Sequence, residues 1–305
     1  MDTVLTLIAA TDAGSTDVPA PLAEGIVAEA RQTLNDLGGK TTDPDWLAPG
    51  VACDIPFTGI DKAAVRAAMD QVLQAAAVDF AVLDGTGRRK ALLLADMDST
   101  IVTGETLDEL AVHAGLGEKI AAITARSMAG ELDFGAALRE RVAMLKELDA
   151  DALARTMAGV ELTPGAATLA RTMAANGAHL ILISGGFRYF TGRIRDRAGF
   201  HVDIGNDLEI VDGKLTGRLV GPLIDRASKR DTLLTTAAKR GLNLDQTMAV
   251  GDGANDCEMI EAAGLGVGFR GKPVLAKVAD VNVRHADLTA LLYLQGYRAE
   301  DIIHG

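Results

Sequence analysis

The pentapeptide Asp96-Met97-Asp98-Ser99-Thr100 sets two carboxylates two residues apart, directly after the apolar run Ala91 to Ala95. A buried strand ending there brings both side chains to one crevice at the carboxyl edge of a sheet. A carboxylate so placed can attack phosphorus and form an acyl phosphate, which splits a hydrolysis into two easier displacements. Asp96 is the expected nucleophile. Asp98 can protonate the departing alkoxide and then take a proton from water, provided its pKa is raised toward the working pH. Taken alone, the pentapeptide also fits a capped strand end with two solvated acids.

A second acidic segment, Val250-Gly251-Asp252-Gly253-Ala254-Asn255-Asp256, again follows an apolar strand pattern and opens a helix pattern. Mg²⁺ prefers oxygen ligands and bridges one or two carboxylates to a phosphate oxygen, so Asp96 and Asp252 are the expected ligands. Asp256 could hold a metal-bound water or the loop, and the glycines allow close backbone approach. A calcium loop is the alternative, but the alternate-acid spacing and terminal Glu of an EF-hand are missing. Ser184-Gly185-Gly186, between strand and helix patterns, offers a hydroxyl and free amides to a phosphoryl oxygen. By itself such a turn is equally an ordinary connection. Lys229 is expected to open a helix, where its ammonium could neutralise charge developing on a transferring phosphoryl group. A single lysine is otherwise a solvated surface residue, and this one gains weight from its order with the other three segments.

These segments need a scaffold that gathers strand ends. Leu180 to Ile183, Met248 to Val250, Gly266 to Phe269 and Val281 to Val283 read as strands separated by helix patterns, the mark of a doubly wound parallel sheet. Leu208 to Val220, centred on Asp212-Gly213, reads as a hairpin. Thr163-Pro164-Gly165 opens a helix with Pro164 in its first turn. Between about residues 105 and 160 the pattern is helical and strand-free, with Leu107, Leu110, Ile120, Ile123, Leu138, Val142 and Leu145 apolar, which predicts a cap inserted over the site. Residues 1–84 read as a small α/β unit in the order strand, helix, strand, helix, strand. One helix has the stripe Leu22, Ile26, Ala30, Leu34 and Leu37; the other is capped by Asp61, with Val65, Met69, Val72 and Leu73 on its apolar face. Residues 85–305 form the second expected domain, entered through a Gly- and Arg-containing linker.

The chain has 305 residues, a length typical of about two domains. Its formal charge of −12 argues against nucleic-acid or anionic-membrane binding, which depend on basic surfaces. The apolar runs are too short to span a bilayer and no secretory leader pattern is present, so the expected location is cytoplasmic. Cys53 and Cys257 lie far apart with no metal-ligand spacing and read as packing residues. Assembly into a homo-oligomer is left open.

The order of DMDST, SGG, Lys229 and GDGAND resembles the four-part signature of the haloacid dehalogenase superfamily, and the second acid of the DxD motif resembles its phosphatases. From Asp96 to about Leu292 the resemblance extends to the phosphoserine phosphatase family, through DMDSTIVTGETLDELA, FGAALRERVAMLK, ISGGF, DGKLTG and GDGANDCEMI. It implies hydrolysis of a phosphorylated amino acid, O-phospho-L-serine, in the last step of serine biosynthesis, with Mg²⁺ as cofactor and the backbone carbonyl of Asp98 added to the metal ligands. It also implies that Glu105 receives the substrate's amino group and Arg141 its carboxylate. A zwitterionic amino acid does call for one carboxylate and one guanidinium. Met128 and Phe134 would shape the pocket, and Ser184, Gly185, Gly186 and Asn255 would line it. Met97 stands where the family often has Phe. Before residue 85 the resemblance fades, although some bacterial members carry an N-terminal extension resembling an amino-acid-binding regulatory module. The alternatives are a phosphatase or phosphotransferase of the same superfamily for another small phosphomonoester, and a noncatalytic amino-acid sensor.

Overall fold

The computed structural model describes residues 3–11, 21–128 and 133–304. The first sheet is built from β1 (Thr3–Ala9), α1 (Glu24–Asp36), β2 (Lys40–Thr41), β3 (Asp45–Ala48), β4 (Ala52–Thr58), α2 (Lys62–Val72) and β5 (Val78–Asp84). Its strands pair antiparallel in the order β2-β4-β1-β5, with β3 also on β4. Three strands therefore stand between the helices where the pattern predicts one. The middle of β4 carries Asp54 and Pro56, which interrupt its apolar run and hide it from a periodicity reading. The buried face of α1 is Val27, Ala30 and Leu34, whereas Leu37 is 41% exposed because the helix has already ended there. Asp61 caps α2 by accepting the Ala63 and Ala64 N–H groups at 2.9 and 3.2 Å.

After the linker come β6 (Leu92–Ala95), the helices α3 (Thr106–His113), α4 (Gly117–Met128), α5 (Phe134–Ala143), α6 (Asp151–Gly159) and α7 (Ala166–Ala175), then β7 (His179–Phe187) and α8 (Arg188–Ala198). The hairpin β8 (Val202–Val211) and β9 (Lys214–Val220) leads to α9 (Arg226–Lys239), β10 (Thr247–Gly251), α10 (Cys257–Ala262), β11 (Leu265–Phe269), α11 (Pro273–Ala276), β12 (Val281–Val283) and α12 (Ala290–Leu294). The sheet order is β12-β11-β10-β6-β7-β8-β9, parallel throughout except for β9. This is a doubly wound α/β core. Pro164 precedes α7 instead of entering its first turn, because Gly165 takes the cap position with φ +80°.

Helices α3 to α6 form an insert between β6 and α7. Its two ends meet in a short neck, where Val102 pairs antiparallel with Leu162 and the Thr103 and Thr163 amides donate to the Glu161 and Ile101 carbonyls. The far side of the insert is stitched to the hairpin: Glu147 N–H donates to Leu215 at 2.9 Å, Leu215 N–H to Leu148 at 2.8 Å and Ala150 N–H to Gly213 at 2.8 Å. Inside, Leu110, Ile120, Leu138, Val142 and Leu145 are buried, as their helical spacing predicts. No helix among the described residues is long and apolar enough to cross a membrane.

The first sheet is docked on the second by buried polar contacts. Asp54 accepts from Thr6 Oγ1 at 2.6 Å and pairs with Arg88 of the linker, whose guanidinium also reaches the Tyr293 and Leu294 carbonyls at 2.8 and 3.0 Å. Asp79 is 4% exposed and accepts the backbone N–H groups of Arg284, His285 and Ala286 at 2.8, 3.0 and 2.8 Å. Removing such an acceptor leaves three donors without a partner. Asp79→Ala is expected to lower stability by about 3 kcal/mol, read as a lower urea midpoint. An unchanged midpoint would show that this carboxylate does not anchor the two sheets.

Candidate active site

Parallel pairing brings the chemical residues together. Ala95 of β6 is in register with Val250 of β10 on one side and Leu182 of β7 on the other, so Asp96 and Asp252, just past their strands, and Ser184, inside the last part of β7 and not in the turn after it, reach the same edge. Around this edge lies a cleft of about 1030 Å³, lined by Asp96, Asp98, Glu105, Phe134, Arg141, Ser184, Gly185, Gly186, Asp252 and Asn255. All the expected contact residues apart from Met128 thus face one space. Met128 ends α4, and its side chain lies outside the described residues.

Asp96 is 3% exposed and heavily engaged. Its Oδ1 accepts from Met97 N–H at 2.8 Å and pairs with the Lys229 ammonium at 2.8 Å, while Asn255 Nδ2 donates to Oδ2 at 3.2 Å. Lys229, in the first turn of α9, is 1% exposed and also pairs with Asp256 at 2.7 Å. Burial alone would push its ammonium down, but the Asp256 and Asp96 carboxylates hold it above the ordinary lysine range. The other oxygen of Asp256 accepts the Asp252 and Gly253 amides at 3.2 and 3.1 Å, so this carboxylate fastens the loop to the lysine. Gly251 is needed here, since a Cβ would run into the Asp256 carboxylate.

Asp98 turns the other way. Thr106 N–H, at the start of α3, donates to Oδ1 at 2.8 Å, and Ser184 Oγ donates to Oδ2 at 3.0 Å. Ser184 Oγ in turn accepts the Gly186 N–H at 2.8 Å. Burial, followed by the charge of Glu105, raises the Asp98 carboxyl to about 7. A group poised there can hold a proton and give it up near neutrality. Glu105 is fixed by Ser99, whose backbone sits in the left-handed region at φ 55° and whose hydroxyl donates to Oε1 at 2.8 Å. Burial raises the Glu105 carboxyl and lowers the Arg141 guanidinium, with Asp108 and Glu105 opposing the latter shift. The Phe134 ring lies over Gly185, where a Cβ would meet it at 2.9 Å.

Asp96, Asp252 and Asp256 each place a carboxylate oxygen within 4.8 Å of the others. Buried, hard, anionic oxygens suit a divalent cation, and the donor set fits one.

The model of the haloacid dehalogenase-like hydrolases matches residues 93–261, which hold nearly all of these groups. The chain belongs to this family. A phosphoserine phosphatase of Streptomyces coelicolor is 41% identical over 256 residues, covering 83% of this chain and 62% of that protein. One from Archaeoglobus fulgidus is 44% identical over 204 residues, covering 67% and 59%. The chain thus spans about 60% of the length of these curated relatives. The crystal structure of a probable phosphoserine phosphatase from Vibrio cholerae, in unliganded form, superposes with a TM-score of 0.77 at 30% identity, covering 98% of this chain and 88% of that one.

Two features of this site escape a reading of the sequence. Ser99 was only a neighbour of the two acids, and its support of Glu105 depends on a turn that no motif announces. Lys272 lines the cleft and pairs with Asp252 at 3.1 Å. Its one sequence signal is position, just past the end of β11 at the edge where the other strand ends converge. Lys229 carries the electrostatics of the centre. Replacing it by Met would leave Asp96 and Asp256 buried without their cation, at an expected loss of about 3–5 kcal/mol, measured by chemical denaturation at neutral pH. A variant as stable as the parent would show that the buried acids do not need this ammonium.

Proposed function

We propose that the chain hydrolyses O-phospho-L-serine to L-serine and phosphate through an aspartyl-phosphate on Asp96, the last step of serine biosynthesis. The observation that carries the reading is the meeting of Asp96, Asp98 and Ser184 with Glu105 and Arg141 in one cleft. The first three suit a phosphoryl group, and the last two suit the charged ends of a free amino acid. The naming of the curated relatives supports the same substrate.

In the first half-reaction an Asp96 oxygen bonds to phosphorus in line with the serine oxygen, the phosphorus–oxygen bond to serine breaks, and Asp98 gives its proton to that oxygen. In the second, water attacks phosphorus, Asp98 takes its proton, and Asp96 is released as a carboxylate. Ser184 and the Gly185 amide orient the phosphoryl oxygens, the Gly186 amide holds the Ser184 hydroxyl in place, Asn255 steadies Asp96, and Lys229 offsets the charge. Asp96, Asp252 and the Asp98 backbone carbonyl would hold Mg²⁺, which supplies further positive charge at those oxygens. Asp256 keeps the loop in place. Glu105 takes the amino group, Arg141 the carboxylate, and Phe134 closes the pocket from the insert. Residues 1–84, with their own buried cluster around Leu5, Leu34 and Phe57, form a separate unit ahead of the catalytic domain at 85–305, whose cap spans about 105–160.

Phosphate release from phosphoserine, sugar phosphates, nucleotides and phosphothreonine, with and without Mg²⁺, tests this directly. Metal-dependent preference for phosphoserine is expected, with no turnover by a folded Asp96→Asn variant. Preference for another ester would keep the chemistry and discard the substrate, and absence of activity on every ester would favour a sensor.

Glu105 and Arg141 separate substrate choice from catalysis. Glu105→Gln and Arg141→Ala should each reduce kcat/KM for phosphoserine by about 100-fold, the order of one lost charge-assisted bond. Hydrolysis of an aryl phosphate should fall far less. Equal losses on both substrates would remove the two residues from amino-acid recognition.

A further inference from the structure

Lys272 has no part in the chemistry described above, yet it holds Asp252 from two directions. Its backbone N–H donates to the Asp252 carbonyl at 2.8 Å, and its ammonium lies 3.1 Å from Asp252 Oδ2. The two lysines of the site differ in freedom. Lys229 is 1% exposed and locked between two carboxylates, whereas the Lys272 side chain is 54% exposed at the cleft wall. The ion pair therefore sets a solvent-reaching cation directly on one oxygen of Asp252. A divalent cation bound to Asp252 would approach a carboxylate that already has a half-exposed positive partner, and like charges a few ångströms apart repel.

We propose that Lys272 is a built-in competitor of the divalent cation: it neutralises Asp252 before metal arrives, weakens the metal's hold, and gives way toward the cleft mouth on binding. The proposal rests on the reading of Asp252 as a metal ligand. Its consequence is a protein whose acidic centre stays compact without metal and takes up the ion reversibly. Lys272 is here a positioning residue, acting through Asp252.

Mg²⁺ titrated calorimetrically into the metal-stripped chain of residues 1–305, in the absence of substrate, tests the proposal. Lys272→Met should bind Mg²⁺ roughly three- to tenfold more tightly than the parent, the scale of removing one partly screened charge beside the site. Lys272→Arg, which keeps the charge, should bind like the parent. The metal-free Met variant should melt at a lower temperature, with a larger upward shift on adding Mg²⁺. A purely structural lysine would give weaker binding on removal. Unchanged or weaker Mg²⁺ binding by Lys272→Met would overturn the competitor role, and Lys272→Gln serves the same comparison if the Met variant fails to fold. A parent chain that takes up no Mg²⁺ would overturn the metal-site reading and this inference with it.

Discussion

The cost of burying carboxylates is the constraint on which the rest of this site depends. Asp96, Asp252 and Asp256 converge at one sheet edge, each less than a tenth exposed, and such a cluster is unstable unless cations and N–H groups compensate it. Lys229 is the permanent compensation, bridging Asp96 and Asp256. The amides of residues 252 and 253 complete it on the far oxygen of Asp256. The same network orients Asp96, so the interaction that makes the acids tolerable also aims one of them into the cleft.

A second, opposite device acts on Asp98. It receives one amide and one hydroxyl and sits beside Glu105, so burial and like charge work together to favour its protonated form. Two acids two residues apart therefore occupy unlike environments, one paired with a lysine and one crowded by a glutamate. The division arises from the turn between them, where the chain leaves β6 and points successive side chains into different walls of the cleft. Environments that separate two neighbouring carboxyls in this way assign them separate roles.

Much of this was legible in the sequence because strand ends announce themselves. Apolar runs followed by Asp, Ser-Gly-Gly or Gly-Asp-Gly placed three of the segments that line the cleft, and parallel alternation implied that they would meet. The helical insert was visible in Leu110, Leu138 and Val142, whose spacing survives because one face is fully buried. What escaped was held by side chains acting over long sequence distances. β4 was obscured by Asp54, an acid that is buried only because Arg88, 34 residues later, accompanies it. On α1 Val27 is buried where Ile26 is only partly so, and Leu37 is exposed because the helix has stopped before it. Ser99 and Lys272 gain meaning only once a turn and a neighbouring strand end set them beside Glu105 and Asp252.

The neck of the insert has a further consequence. Because Val102 and Leu162 are already paired, the chain leaves and re-enters the core at almost the same point. The sheet needs no particular length between those residues, and closing a longer or shorter excursion changes the entropy only slowly with its size. Such a junction makes the cap a cassette. Strand order and the acidic centre form one heritable module and the outer helices of the excursion another, while Glu105 and Thr106 at its base stay tied to Asp98, so selection can reshape the outer wall of the cleft with that junction kept.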